Sequence, residues 1–145
     1  MFKHLLLPTD GTEMSAMAIA KGVELAKYFN AKVTGFYAAP EFHILTYRAE
    51  MLEDTEAEYE KDCKAHAQKY LGVVKAAAKA AGVDCDIVYT TSDHAYDAII
   101  KAAEERGCDL IMMGKHTRKG LEGLFAGSET EKVLAHTHIP VLVFH

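Results

Sequence analysis

Nothing in the 145-residue sequence approaches the roughly 18 to 20 consecutive apolar residues that a membrane-crossing helix needs. The opening Met1-Phe2-Lys3-His4-Leu5-Leu6-Leu7 is cut by Pro8 before a secretion-signal core could form, so a cytoplasmic protein is expected. Cysteine is scarce: Cys63, Cys85 and Cys108 are odd in number and contain no C-x-x-C pair, which removes support for a disulfide framework or a zinc ribbon. An excess of positive charge is also missing. With 21 acidic against 16 basic side chains and a net charge of −5, the chain has no general attraction for a phosphate polymer, and nucleic acid is not expected as a partner. Neither a G-x4-G-K-[S/T] loop nor a G-x-G-x-x-G turn occurs, which argues against a motor NTPase and a dinucleotide dehydrogenase. No repeat, low-complexity tract or second domain is visible, and residues 1–145 are read as one domain.

What is present is alternation. Phe2 to Pro8 reads as a doubly buried strand that runs into the turn Thr9-Asp10-Gly11-Thr12. From about Thr12 to Phe29, apolar residues recur at Ala16, Ile19, Val23 and Ala26 and again at Ala18, Gly22, Leu25 and Phe29, which predicts a helix with one wide buried face. A second strand, Lys32 to Ala39, stops at Pro40. The segment from Glu41 to Asp62 holds eight acidic residues against Arg48 and Lys61, so the acidity is local. Its apolar beginning, Phe42 to Tyr47, suggests a loop, and a long helix follows from near Ala49 or Glu50 through Ala67, Leu71, Val74, Ala78 and Ala81 to Gly82. Cys85 to Thr90 gives a third strand; Thr91-Ser92-Asp93 offers an N-cap for a helix that buries Tyr96, Ile99, Ile100 and Ala103. Asp109 to Met113 gives a fourth strand, and Ser128 with Glu131 suggests a capping box for a short helix. Val141 to Phe144 closes the series. The order β-α-β-α-β-α-β-α-β predicts a doubly wound, mainly parallel sheet with helices on both faces, whose ligands bind outside the carboxyl ends of the strands where the winding reverses.

Between the fourth strand and the last helix lie Gly114, Gly120, Gly123 and Gly127 with Lys115, Arg118 and Lys119. Glycines let backbone N–H groups approach a phosphate, and a helix start at Ser128 adds partial positive charge and a hydroxyl. The same residues are also accounted for as turn glycines, a solvated basic loop and a plain N-cap, and spacing alone leaves both readings open. Cys63 with His66, and His136 with His138, could each supply two metal ligands, which is too few for a structural metal. His94 and His116 follow strands at the presumed ligand end and are candidates for a phosphate contact or proton transfer. No nucleophile and base stand at a recognised spacing, so no catalytic residue is assigned.

The turn Leu6-Leu7-Pro8-Thr9-Asp10-Gly11, the stretch Ile111 to Gly114, the run Gly127-Ser128-Glu129-Thr130-Glu131-Lys132-Val133-Leu134 and Ile139-Pro140-Val141-Leu142-Val143 together resemble the universal stress proteins of the single-domain, UspA-like type. The resemblance spans essentially the whole chain. It implies a five-stranded sheet in the order 3-2-1-4-5, of the adenine nucleotide alpha hydrolase-like kind, with Asp10 and Gly114 flanking one crevice between the first and fourth strands. It further implies a stress-response regulator that binds ATP or a related adenine nucleotide, with magnesium, through Pro8, Thr9, Asp10, Ala38, Met113, Gly114, Lys115, His116, Thr117, Arg118, Gly120, Gly127, Ser128, Glu129 and Thr130. Asp10 would meet the ribose or a magnesium ion, the backbone near Ala38 the adenine edge, and Phe42 or Tyr47 could cover the base. The bland reading of Asp10 is an Asx-turn before Thr12.

Nucleotide-binding members carry G-x2-G-x9-G-[S/T]; here the first glycine is Gly114, the second position holds Thr117, the third is Gly127 and the hydroxyl is Ser128. A β-branched residue forced to φ > 0 at that second position costs on the order of 1 to 3 kcal/mol. The alternative is therefore a protein-interaction module of the same family that has given up its nucleotide. The resemblance also implies a homodimer through Val141 to Phe144, in keeping with an apolar strand left at a sheet edge.

Overall fold

The computed structural model describes residues 1–42, 49–115 and 128–145. Five strands and four helices alternate: β1 (His4–Thr9), α1 (Glu13–Phe29), β2 (Lys32–Ala39), α2 (Ala49–Ala81), β3 (Cys85–Thr91), α3 (Ala95–Arg106), β4 (Leu110–Gly114), α4 (Ser128–His136) and β5 (Val141–Phe144). The strands form one parallel sheet in the order β3-β2-β1-β4-β5, as expected, so the winding reverses between β1 and β4. β1, β2 and β4 are buried almost throughout, which is why they read as unbroken apolar runs rather than alternating ones. Leu5, Leu7, Val33 and Met112 face α1 and α2; Leu6, Phe36, Ile111 and Met113 face α3 and α4.

Three local expectations are corrected. β1 begins at His4 rather than Phe2: the Lys3 amide, just before the strand, donates to the Asp109 carboxylate. On α1, Ala16 is exposed and Ser15 takes the buried place: its amide donates to the Thr12 hydroxyl and its own hydroxyl to the Thr12 carbonyl, so one polar residue is satisfied inside the first turn. α3 takes His94 as its N-cap, without a side-chain cap bond. Ser92 is instead used locally, accepting from the His94 amide at 3.1 Å.

All three cysteines are free thiols, Cys63 and Cys108 buried, and burial pushes Cys108 up to about 11. No helix among the described residues is long and apolar enough to cross a membrane.

Candidate functional site

β1 and β4 pair at Leu5↔Leu110 and Leu6↔Ile111, and the pairing stops there although the strands run on to Thr9 and Gly114. β1 and β2, by contrast, stay in register through Thr9↔Tyr37. The carboxyl ends of β1 and β4 therefore part at the place where the winding reverses, which is where a sheet of this kind receives a ligand.

Asp10 stands at that opening. One carboxylate oxygen, Oδ1, accepts from the Thr12 amide at 3.0 Å and the Thr12 hydroxyl at 2.6 Å, holding the turn that starts α1. The other, Oδ2, is buried and has no hydrogen-bond partner among the described residues. The Asx-turn reading of Asp10 is thus half of the answer: one oxygen builds the turn and the other is left over. Thr9 is already committed, its hydroxyl accepting from the Gly11 amide at 3.1 Å and lying 3.2 Å from the Ser15 hydroxyl. Pro8 is buried within β1.

The remaining candidates divide into those with internal partners and those outside the described residues. Ala38 is buried, with its side chain packed in the cluster that includes Phe36, Ala98 and Ile99, and is paired to Thr90 of β3. Met113 is buried, and Gly114 ends β4 with its carbonyl accepting from the Thr130 hydroxyl at 3.3 Å. The Lys115 amide donates to the Phe144 carbonyl at 2.7 Å, and its ammonium lies 3.3 Å from Glu131. Glu131 thereby pairs with the residue that follows β4, with its side chain largely exposed. Glu129 accepts from the Tyr96 amide at 2.9 Å. Ser128 opens α4. His116, Thr117, Arg118, Gly120, Gly127 and Tyr47 lie outside the described residues. His94 is exposed, and Phe42 packs its ring 5.4 Å from that of Tyr59.

Sequence reasoning missed an aromatic wall on the α2 side. Tyr70 covers the β1–α1 turn so closely that a Cβ at Gly11, where φ is +81°, would stand 2.4 Å from its ring. The same ring meets Tyr37 edge-on at 5.2 Å and stacks on His66 at 5.7 Å. Burial pushes the Tyr37 hydroxyl above its ordinary pKa, with further contributions from Tyr70, Cys63 and the Asp10 charge. Tyr59 donates to the Pro40 carbonyl, and burial followed by its bond with the Cys63 thiol pushes it up to about 12. Both phenols stay neutral donors at physiological pH. In the sequence Tyr37 passes for one more strand residue and Tyr70 for a flank of the α2 stripe, and only the fold brings them beside Asp10. Among the described residues no group of three or more histidine, cysteine or acidic side chains is placed to hold a metal ion.

The chain is thus a doubly wound α/β protein whose first strand runs out, at the winding reversal, into a carboxylate with one buried oxygen lacking a partner among the described residues. A model of the universal stress protein family matches residues 1–145, and the chain belongs to that family. It is 32% identical over 143 residues to universal stress protein MJ0531 of Methanocaldococcus jannaschii, covering 99% of this chain and 82% of that one. Universal stress protein YxiE of Bacillus subtilis is 30% identical, with 99% of each chain covered. The solved structure of MJ0577 from Methanocaldococcus jannaschii superposes with a TM-score of 0.77 at 26% identity, covering 99% of this chain and 96% of that one. Two further structures share the fold: a universal stress protein in complex with cAMP (TM-score 0.67, 22% identity, 99% and 97% covered) and one from Archaeoglobus fulgidus in complex with dAMP (0.65, 13%, 100% and 98%).

Proposed function

We propose that this universal stress protein is a regulator that binds an adenine nucleotide where β1 and β4 part. The observation that carries the reading is Asp10: a buried carboxylate oxygen without a partner among the described residues is costly unless something donates to it. A ribose hydroxyl is a donor of the right kind, and a nucleotide-borne magnesium ion would satisfy the same oxygen. Ser128 and the start of α4 supply the phosphate end, and the backbone by Ala38 the base end. The cAMP and dAMP complexes of proteins with this fold support the choice of an adenine nucleotide. Occupancy would then bias the protein's shape or its partners, without a catalytic residue.

Calorimetric titration of nucleotide-free protein with ATP and magnesium tests this reading. Binding that weakens in Ser128→Ala and tightens in Thr117→Gly is the expected result. Silence up to millimolar ATP, with heat restored in Thr117→Gly, would instead identify an interaction module that has given up its ligand.

The second part of the proposal is a homodimer through β5. That strand is bonded to β4 on one side only, and Leu142 is 41% exposed. An apolar edge strand of this kind is stable in solution when it is paired or covered.

A further inference from the structure

α3 begins without a cap of its own. Its N-cap residue, His94, makes no side-chain cap bond, so the first amides of the helix need acceptors from elsewhere. One comes from 33 positions along the chain: Glu129, the second residue of α4, accepts from the Tyr96 amide at 2.9 Å. The Glu129 side chain is only 15% exposed, and Lys132 stands 3.4 Å from its other oxygen. Lys132 also lies 5.6 Å over the Tyr96 ring, and the His136 ring is 5.2 Å from the same ring. The next residue, Thr130, is fully buried and donates to the Gly114 carbonyl. Two consecutive residues thus moor the first turn of α4 to two different elements, α3 and β4.

We infer that Glu129 is a positioning residue for the phosphate end of the nucleotide site: by capping α3 from α4 it fixes where the α4 N-terminus points. The inference rests on the nucleotide reading given above. A carboxylate one residue from Ser128 would by itself repel a phosphate. Here its charge is taken up by the partial positive charge at the start of α3 and by Lys132, so the α4 N-terminus keeps its own attraction for an anion. Reach matters as much as charge, because aspartate at 129 is one methylene too short to hold the Tyr96 amide with α4 in place.

Calorimetry with ATP and with adenosine, on the wild type and on Glu129→Gln, Glu129→Asp and Glu129→Ala, separates the possibilities. Glutamine keeps the acceptor, so Glu129→Gln binds ATP at least as tightly as the wild type. The alanine and aspartate variants lose the cap and bind ATP about fivefold more weakly, while adenosine, which does not reach α4, changes by less than about twofold. Exchange of the Tyr96 amide quickens in those two variants and not in Glu129→Gln. Equal ATP affinity in all four proteins overturns the inference, as does tighter binding in both Gln and Ala, which would make Glu129 a mere repulsive charge. Parallel losses for ATP and adenosine would mean general loosening of the fold and also overturn it. If the wild type binds neither ligand, the nucleotide reading itself falls and takes this inference with it; if the wild type binds and the variants match it, only the inference falls.

Discussion

Gly114 and Met14 meet without room for a single added carbon. A Cβ at position 114 would lie 2.5 Å from the Met14 Cγ and 2.8 Å from its carbonyl oxygen, and the second of these is backbone that cannot rotate away. The glycine that ends β4 is therefore required by the first turn of α1, whatever else it does for a ligand. Gly114→Ala is expected to cost about 1 to 3 kcal/mol in chemical denaturation. Gly72, inside α2, has nothing within 4 Å of its missing Cβ. Gly72→Ala is expected to gain about 0.5 to 1 kcal/mol, and the opposite signs of the two alanines are the test.

Asp10 divides its two oxygens between the fold and the crevice, which makes a substitution that separates them possible. Asparagine at position 10 keeps an acceptor for the Thr12 amide and hydroxyl but presents N–H groups where Oδ2 stood. Asp10→Asn should leave the unfolding free energy measured in urea within about 0.5 kcal/mol of wild type while weakening ATP binding roughly tenfold, because a donor would then face the ribose hydroxyl. Stability and binding that fall together would show that Oδ2 serves the turn alone.

Element type was legible because β1, β2 and β4 are buried almost throughout and read as unbroken apolar runs, while the strand order followed only from the family resemblance. Leu71, Val74 and Ala78 on α2 are each nearly inaccessible, as their spacing predicts. Illegible features share one physical cause: they are bonds between distant residues. Nothing near Tyr96 announces that Glu129 will cap it, so local reasoning gave the cap to Thr91-Ser92-Asp93. Asp10 was legible as a residue of the site, whereas the Tyr37 and Tyr70 rings beside it were not, since apolar patterning treats a tyrosine as filler.

His4 gives the protein a pH dependence of known sign. Its side chain is 5% exposed, and Nε2 lies 2.6 Å from the hydroxyl of Thr34, which spends its one hydrogen on Asp86 at 2.5 Å. Nε2 must therefore donate. Arg106 closes the chain, 2.6 Å from the other Asp86 oxygen. Burial first, and then the Lys32 charge, lower the His4 pKa below 6.5, against opposing contributions from Asp86, the Arg106 backbone and Asp109. The unfolded chain consequently takes up a proton at higher pH than the folded one. This contribution is intact above the unfolded value and is lost as pH falls through about 6.5 towards the folded value, with a slope of at most about 1.4 kcal/mol per pH unit. His4→Gln keeps a donor for Thr34 and does not titrate. Urea midpoints measured from pH 8 to pH 5 should fall more steeply for the wild type than for the variant, and parallel curves would refute the assignment.

The free edge of β5 can be addressed without touching its pairing to β4. Ile111 donates to the Pro140 carbonyl and Lys115 to the Phe144 carbonyl, so residues 140, 142 and 144 turn their backbone groups to β4. Strand alternation then points the N–H and C=O of Val141 and Val143 outward, to where a second copy would pair. Proline at position 143 removes an outward donor and no bond to β4. Sedimentation equilibrium at micromolar concentration should show the wild type at twice its 16.0 kDa mass and Val143→Pro at the single mass, with unchanged helix content. A variant that remains dimeric would move the interface elsewhere; the groove of Leu25, Tyr28, Met112, Leu142 and Phe144 on the α1 face of β5 is then the next surface to test.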